Sequence, residues 1–195
     1  MDVIPDKVSV VDTWRGMIDC QKSGKTRSIG VSNFTPKHID ALIAATGVTP
    51  VTNQIEAHPL LPQDELKKYH DEKKIILTAY SPLGTPLDGK NKLIDHEVVK
   101  KVAAEHGKEP AAVLYAWGVQ RGYSVLTKSV TPSRIKSNFE QITLTDKQFK
   151  EISDPVKSEG VKRTLTPFLV SPQWPIRVFD EPSEKDAPFE VNIKA

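Results

Sequence analysis

A chain of 195 residues with 38% hydrophobic and 27% charged residues has the composition of a folded globular protein, not a disordered one. Its 27 basic and 25 acidic side chains nearly cancel, to +2, and no basic block appears, so composition gives no case for nucleic acid or an anionic membrane. The single cysteine, Cys20, excludes an intramolecular disulfide and a cysteine-based zinc cluster, and no apolar run approaches the ~18 residues of a membrane-spanning helix.

The first ten residues are polar and broken by Pro5, unlike the apolar stretch of a signal peptide, so a reducing cytoplasm is the expected location. Thr13 to Lys22 reads as a helix with Trp14, Met17 and Ile18 on one face, stopped at Ser23-Gly24. Ser28 to Val31 reads as a short strand ending at Ser32-Asn33. Thr35 as N-cap and Pro36 at the first helical position then open a helix with Ile39, Leu42 and Ile43 inward. Val51 to Ile55 is the next strand, followed by a polar helix from Gln63 to about Lys73 with Leu66 and Tyr69 as its apolar side.

Ile75 to Ala79 is an uninterrupted apolar and β-branched run, as in a strand covered on both faces. Two helices follow a long loop, near Asp95 to His106 and Pro110 to Arg121, the second with Val113, Leu114 and Trp117 on one side. Ser124 to Leu126 reads as the last strand, and Thr131-Pro132 begins the helix carrying Arg134 and Asn138. Thr145 to Gln148 is a capping box for one more helix, and from Pro155 onward the periodicity gives way to an irregular tail. Such strand–helix alternation requires parallel strands with crossover helices, in either an open doubly wound sheet or a (β/α) barrel. No G-x-G-x-x-G follows the first strand, which weakens the first of these.

Ser23-Gly24-Lys25-Thr26 resembles the end of a phosphate-binding loop, but Asp19 stands where that loop needs a glycine, and a helix precedes it where a strand should. The stretch reads as a helix stop. No G-x-S-x-G, H-E-x-x-H or C-x-x-C occurs, and the five histidines (His38, His58, His70, His96 and His106) read as scattered, solvated surface groups. Polar residues instead gather at the ends of four successive strands: Ser32 and Asn33, Gln54, Tyr80 and Ser81, and Lys128 and Ser129. In a parallel barrel those ends form the active face.

Four segments carry a family resemblance. Gly24 to Phe34 closely resembles the aldo-keto reductase signature around its fifth strand. Asn53-Gln54-Ile55-Glu56-Ala57-His58-Pro59, Ala79-Tyr80-Ser81-Pro82-Leu83-Gly84 and Lys128 to Ile135 resemble those of the sixth, seventh and eighth strands, in order and with matching spacing. The tail around Phe179-Asp180-Glu181-Pro182 is similar to fungal reductases of the glycerol and aldehyde type. The resemblance implies the C-terminal half of a (β/α)8 barrel, read as one partial domain over residues 1–195 with an irregular tail from 155.

It also implies a dinucleotide site. Ser32, Asn33 and Gln54 would hydrogen-bond the nicotinamide carboxamide, and Tyr80 would stack on the ring. Ser81 and Leu83, with the loop from Gly84 to Gly89, would lie against the pyrophosphate. Lys128, Ser129, Val130, Thr131 and Arg134 would surround the 2′-phosphate, two cations and two hydroxyls suiting a dianion, which favours NADP(H) over NAD(H). Asn138 would contact adenine. Thr127 replaces the family's usual proline, and Ser137 an acidic adenine contact.

The family reduces aldehydes and ketones by hydride transfer, with a tyrosine proton donor tuned by lysine and aspartate and a histidine orienting the substrate. Those four residues come from the first four strands. The resemblance begins just before the fourth helix, so no catalytic residue is assigned in this chain; Tyr69, Tyr115 and Tyr123 sit in no matching motif. Two expectations stand: a reductase represented without its catalytic half, or a short nucleotide-binding or interaction protein. A small carbonyl or alcohol is the expected substrate, with no nucleic-acid or membrane partner. Half a barrel leaves two unpaired strand edges and an uncovered inner face, which predicts self-association, binding of the missing half or partial unfolding. Light scattering with thermal melting checks this, and a monodisperse, cooperatively melting monomer would contradict it.

Overall fold

A computed structural model describes residues 8–84, 93–154, 160–165 and 175–194. The chain divides into two compact units. The first takes Met1–Gln54, Asp64–Ile76 and Pro167–Ala195; the second takes Ile55–Gln63 and Leu77–Thr166.

In the first unit, helix α1 (Val10–Lys22) begins earlier than its hydrophobic period suggests, because Ser9 is the cap. The Ser9 hydroxyl accepts the Asp12 N–H at 3.0 Å while the Asp12 carboxylate reaches back to the Ser9 N–H. Val11, Trp14 and Ile18 are buried, but Met17 is exposed. At 100° per residue Met17 lies about 100° from the centre of that stripe, off the apolar face. Gly24, in the left-handed region at φ 75°, turns the chain out of the helix.

Strand β1 (Val31–Ser32) and helix α2 (Pro36–Thr46) follow. Pro36 occupies the first turn as expected. Thr35 is the cap residue, also as expected, and the His38 ring bonds back across the end, its Nδ1 accepting the Thr35 N–H at 3.3 Å. Strand β2 (Thr52–Glu56) pairs with β1 in parallel, Val31 opposite Asn53 and Ser32 opposite Gln54. Helix α3 (Asp64–Lys73) comes next. Val11, Trp14, Ile18, Ile29 and Leu42 form the core of this unit, and the Trp14 indole donates to the Val48 carbonyl at 3.1 Å.

The tail's described residues carry more order than irregular chain. Strands β5 (Ile176–Arg177) and β6 (Phe189–Glu190) form a short parallel pair. Between them the buried Glu184 carboxylate accepts N–H groups of Val178, Phe179 and Glu181 at 2.9 to 3.0 Å. The Val10 N–H donates to the Asn192 carbonyl, and Lys37 pairs with Glu190, so the tail is tied to both α1 and α2.

In the second unit lie β3 (Ile76–Tyr80), α4 (Glu97–Glu105), α5 (Pro110–Gln120), β4 (Ser124–Val125), α6 (Pro132–Ser137) and α7 (Asp146–Ser153). Ile76 itself belongs to the first unit. A single helix from Asp95 is not what forms; a 3-10 turn over Leu93–Asp95 precedes α4, whose cap is His96. Helix α5 is buried from Val113 through Gly118, a wider face than its period suggests, since α4 packs on one side and β4 on another. Trp117 organises this unit: its indole donates to Ser153 Oγ at 2.9 Å, Phe149 stacks beside it, and the Arg121 guanidinium lies 5.0 Å from its ring centre. The expected capping box of α7 forms between Thr145 and Gln148.

Strand order is β1-β2-β3-β4, and the β3–β4 ladder is parallel, with Thr78 opposite Ser124 and Ala79 opposite Val125. Among the described residues no helix is long and apolar enough to cross a membrane. The histidines depart most from expectation. His38, His58 and His70 are buried, not solvated, and each ring holds at least one hydrogen bond to a neighbour within the protein.

The approach of β1 to β2 leaves no room for a side chain at Gly30. An added Cβ would lie 2.7 Å from both the Thr52 carbonyl oxygen and its Cγ2. Gly30→Ala is therefore expected to destabilise by about 1–3 kcal/mol through forced backbone displacement. Urea unfolding checks this, and an unchanged midpoint would show that the strands separate freely.

Candidate nucleotide site

The twelve residues expected to hold a dinucleotide fall into two groups, one in each unit. In the first unit Ser32 closes β1 and Asn33 follows it. The Ser32 hydroxyl donates to the Gln54 carbonyl at 2.9 Å, and the Asn33 N–H donates to the same oxygen at 3.0 Å. Gln54 is paired opposite Ser32, so these three residues are brought together. Gln54 does not end its strand, however, since β2 runs on to Glu56. Asn33 adopts φ 60°, a left-handed conformation that asparagine tolerates better than most residues.

What holds this turn is a residue given no role from sequence. Asn53 is fully buried; its side chain accepts the Phe34 N–H at 3.3 Å and donates to the Phe34 carbonyl at 2.8 Å. It also meets His70 Nε2 at 3.0 Å. Burial pushes the His70 ring below the ordinary histidine range of 6.5, so it is neutral at physiological pH. A sequence signal existed. Asn53 alternates with Gln54 along the strand and so faces the opposite way, where a polar group must find a partner.

In the second unit Tyr80 ends β3 and Ser81 follows at φ 49°, so two of the expected strand-end positions carry left-handed backbone. A tight turn runs from Ser81 to Gly84, closed by the Gly84 N–H donating to the Ser81 carbonyl at 2.9 Å, and Leu83 lies within it. The continuation of that loop towards Gly89 lies outside the described residues. The Leu126 N–H donates to the Ala79 carbonyl, extending the β3–β4 pairing beyond the regular strand. Lys128 and Ser129 therefore lie past the strand end, in the connection to α6. There Ser129 Oγ accepts the Thr131 N–H at 3.1 Å, and Arg134 and Asn138 follow on and after α6. Lys128, Val130, Thr131 and Arg134 are all exposed. Among the described residues neither Lys128 nor Arg134 makes an ion pair, whereas nearby Lys108 is paired with Glu140 at 2.6 Å.

Beneath the Ser81–Gly84 turn lies a second group that the sequence left without a role. Glu56 and His58 are fully buried, and their side chains meet at 3.1 Å. The same Glu56 oxygen accepts the Thr164 N–H at 2.6 Å, the Thr164 hydroxyl at 2.7 Å and the Leu165 N–H at 3.1 Å, while Arg163 approaches the other oxygen at 3.5 Å. The His58 ring packs against Gly84, where an added Cβ would lie 3.1 Å from it. Burial alone would raise the Glu56 pKa, but hydrogen bonds from His58 and Thr164 outweigh it and hold the carboxyl below its ordinary 4.5. Among the described residues no group of His, Cys, Asp or Glu is arranged to hold a metal ion.

The aldo/keto reductase family model matches residues 1–156. The chain belongs to this family. A D/L-glyceraldehyde reductase of Hypocrea jecorina is 42% identical over 193 residues, which cover 96% of this chain and 57% of that protein. A glycerol 2-dehydrogenase (NADP(+)) of Saccharomyces cerevisiae is 42% identical, with 87% of this chain and 53% of that protein covered. Among solved structures, a Gox0644 mutant in complex with NADPH is similar with a TM-score of 0.68 at 36% identity, covering 74% of this chain and 52% of that one. This aldo-keto reductase chain thus spans about half the length of the relatives it matches. Membership resolves the choice left open by strand alternation: the parallel strands and their helices are a partial (β/α) barrel.

Because the Glu56 carboxyl is depressed in the folded state, its contribution is complete above about pH 4.5 and is lost as pH falls through the lower folded value. The wild-type urea midpoint should therefore fall on acidification below that pH. Glu56→Gln should remove part of this slope and cost about 1–3 kcal/mol at neutral pH, since a neutral amide cannot accept as many hydrogen bonds. A variant with the wild-type acid slope would count against the assignment.

Proposed function

We propose that this chain carries the dinucleotide-binding half of an NADP(H)-dependent reductase acting on small aldehydes and ketones, or on the corresponding alcohols in reverse. The observation that carries the reading is the pair of exposed cations, Lys128 and Arg134, without ion partners among the described residues and flanking Ser129 and Thr131. A dianionic phosphate suits two guanidinium or ammonium groups and two hydroxyls. Relatives whose names carry NADP(+) or NADPH support the same choice.

When bound, the reduced dinucleotide supplies a hydride to the substrate carbonyl carbon. The chain's own residues bind and orient. Lys128 and Arg134 neutralise the 2′-phosphate, with Ser129, Val130 and Thr131 around it and Asn138 towards the adenine. Tyr80 offers a flat face for the nicotinamide ring, while Ser81 and Leu83 bound the path of the pyrophosphate. Asn33 and Gln54 are the amide side chains for the carboxamide, whose donor and acceptor both need partners for one ring face to be selected. Ser32 already donates to the Gln54 carbonyl, so it would serve the carboxamide chiefly through its oxygen as an acceptor. No residue here is assigned proton transfer.

Fluorescence titration with NADPH and NADH tests the reading. Wild type should prefer NADPH. Lys128→Ala and Arg134→Ala should each weaken NADPH by about tenfold while leaving NADH nearly unchanged, because each removes a charge-assisted hydrogen bond to the 2′-phosphate. Absence of NADPH binding, or variants that bind it as wild type does, would overturn the cofactor assignment.

A further inference from the structure

We propose that Asn53 and His70 form a buried relay that shapes the Ser32-Asn33-Phe34 turn, making both of them positioning residues for the carboxamide end of the dinucleotide. This rests on the cofactor reading above and adds two residues to it.

The hydrogen bonds fix the relay's direction. His70 Nδ1 lies 2.7 Å from the Leu66 carbonyl, which can only accept, so Nδ1 carries the ring proton. Nε2 is then a bare lone pair, and the group 3.0 Å from it on Asn53 must be the amide nitrogen. That nitrogen's second hydrogen points to the Phe34 carbonyl at 2.8 Å, leaving the amide oxygen for the Phe34 N–H at 3.3 Å. Rotating the amide by half a turn would set its oxygen against two acceptors and its nitrogen against a donor. One tautomer of His70 therefore selects one orientation of Asn53, and that orientation grips both polar groups of the Phe34 backbone.

The turn is held from two sides as a result. The Asn33 N–H is fixed on the Gln54 carbonyl, and the peptide groups that follow it are fixed on Asn53. Between these anchors Asn33 sits at φ 60°, and its side-chain direction follows from the backbone. His70 is anchored in turn. Its neighbour Tyr69 donates to Asp40 at 2.8 Å, tying α3 to α2, and the Tyr69 and His70 rings meet edge to face. A ligand-facing amide preset in this way loses less freedom on binding than a free one.

The test uses the whole chain and two probes. NADPH carries the nicotinamide, whereas adenosine 2′,5′-bisphosphate carries only the adenine and phosphate end. Asn53→Ala and His70→Leu are expected to weaken NADPH by about tenfold while changing adenosine 2′,5′-bisphosphate by less than about twofold. His70→Gln should restore most NADPH affinity, because its side-chain oxygen can accept from Asn53 where Nε2 did. A general loss of structure would move both probes and would not distinguish leucine from glutamine at position 70. If both probes weaken together, or if neither does, or if glutamine fails to rescue, the relay is not a positioning device. If wild type binds neither probe, the cofactor reading fails first, and the relay's role falls with it.

Discussion

Backbone that leaves a parallel strand loses its ladder partners at once, and its N–H and carbonyl groups must be satisfied by something else. In this protein buried side chains supply that satisfaction. Asn53 does so for the turn after β1, Glu56 for the segment at Thr164 and Leu165, and Glu184 for the tail between β5 and β6. Each is a polar group at or below 1% exposure, and each binds main chain instead of water. The loops that would face a ligand can then be irregular without being loose.

This arrangement explains why strained backbone occurs where it does. Asn33 and Ser81 both adopt left-handed conformations immediately after a strand. Such geometry costs energy and persists only where the surroundings over-determine it. At Asn33 the surroundings are Gln54 and Asn53; at Ser81 they are the turn closed by Gly84, which itself packs on His58. Close approach also disfavours a side chain at Gly84, against Leu93 and His58, and at Gly30, against Thr52.

The residues proposed for the phosphate follow a different principle. Lys128, Val130, Thr131 and Arg134 lie on exposed chain, where the Ser129 hydroxyl accepts the Thr131 N–H. A charged ligand needs no preset cavity to find cations, since attraction acts over several ångströms and lysine and arginine reach outwards. Hydrogen bonding to an amide would be short-ranged and directional, and at the turn after β1 the chain invests buried hydrogen bonds.

The alternation of strands and helices, most helix starts and the family were legible in the chain's residues, because helix-start signals such as Pro36 and Thr145 are local and the motifs are contiguous. The sequence misplaced Met17 and three histidines, because a period identifies a face but not its width, and a histidine's burial depends on partners far away in the chain. That Glu56 meets Thr164 across more than a hundred residues, and His70 meets Asn53 across seventeen, emerges only on folding. Those contacts join residues whose types are unremarkable alone. Hydrogen bonding is directional and short-ranged, so it is legible only once folding has set the distances.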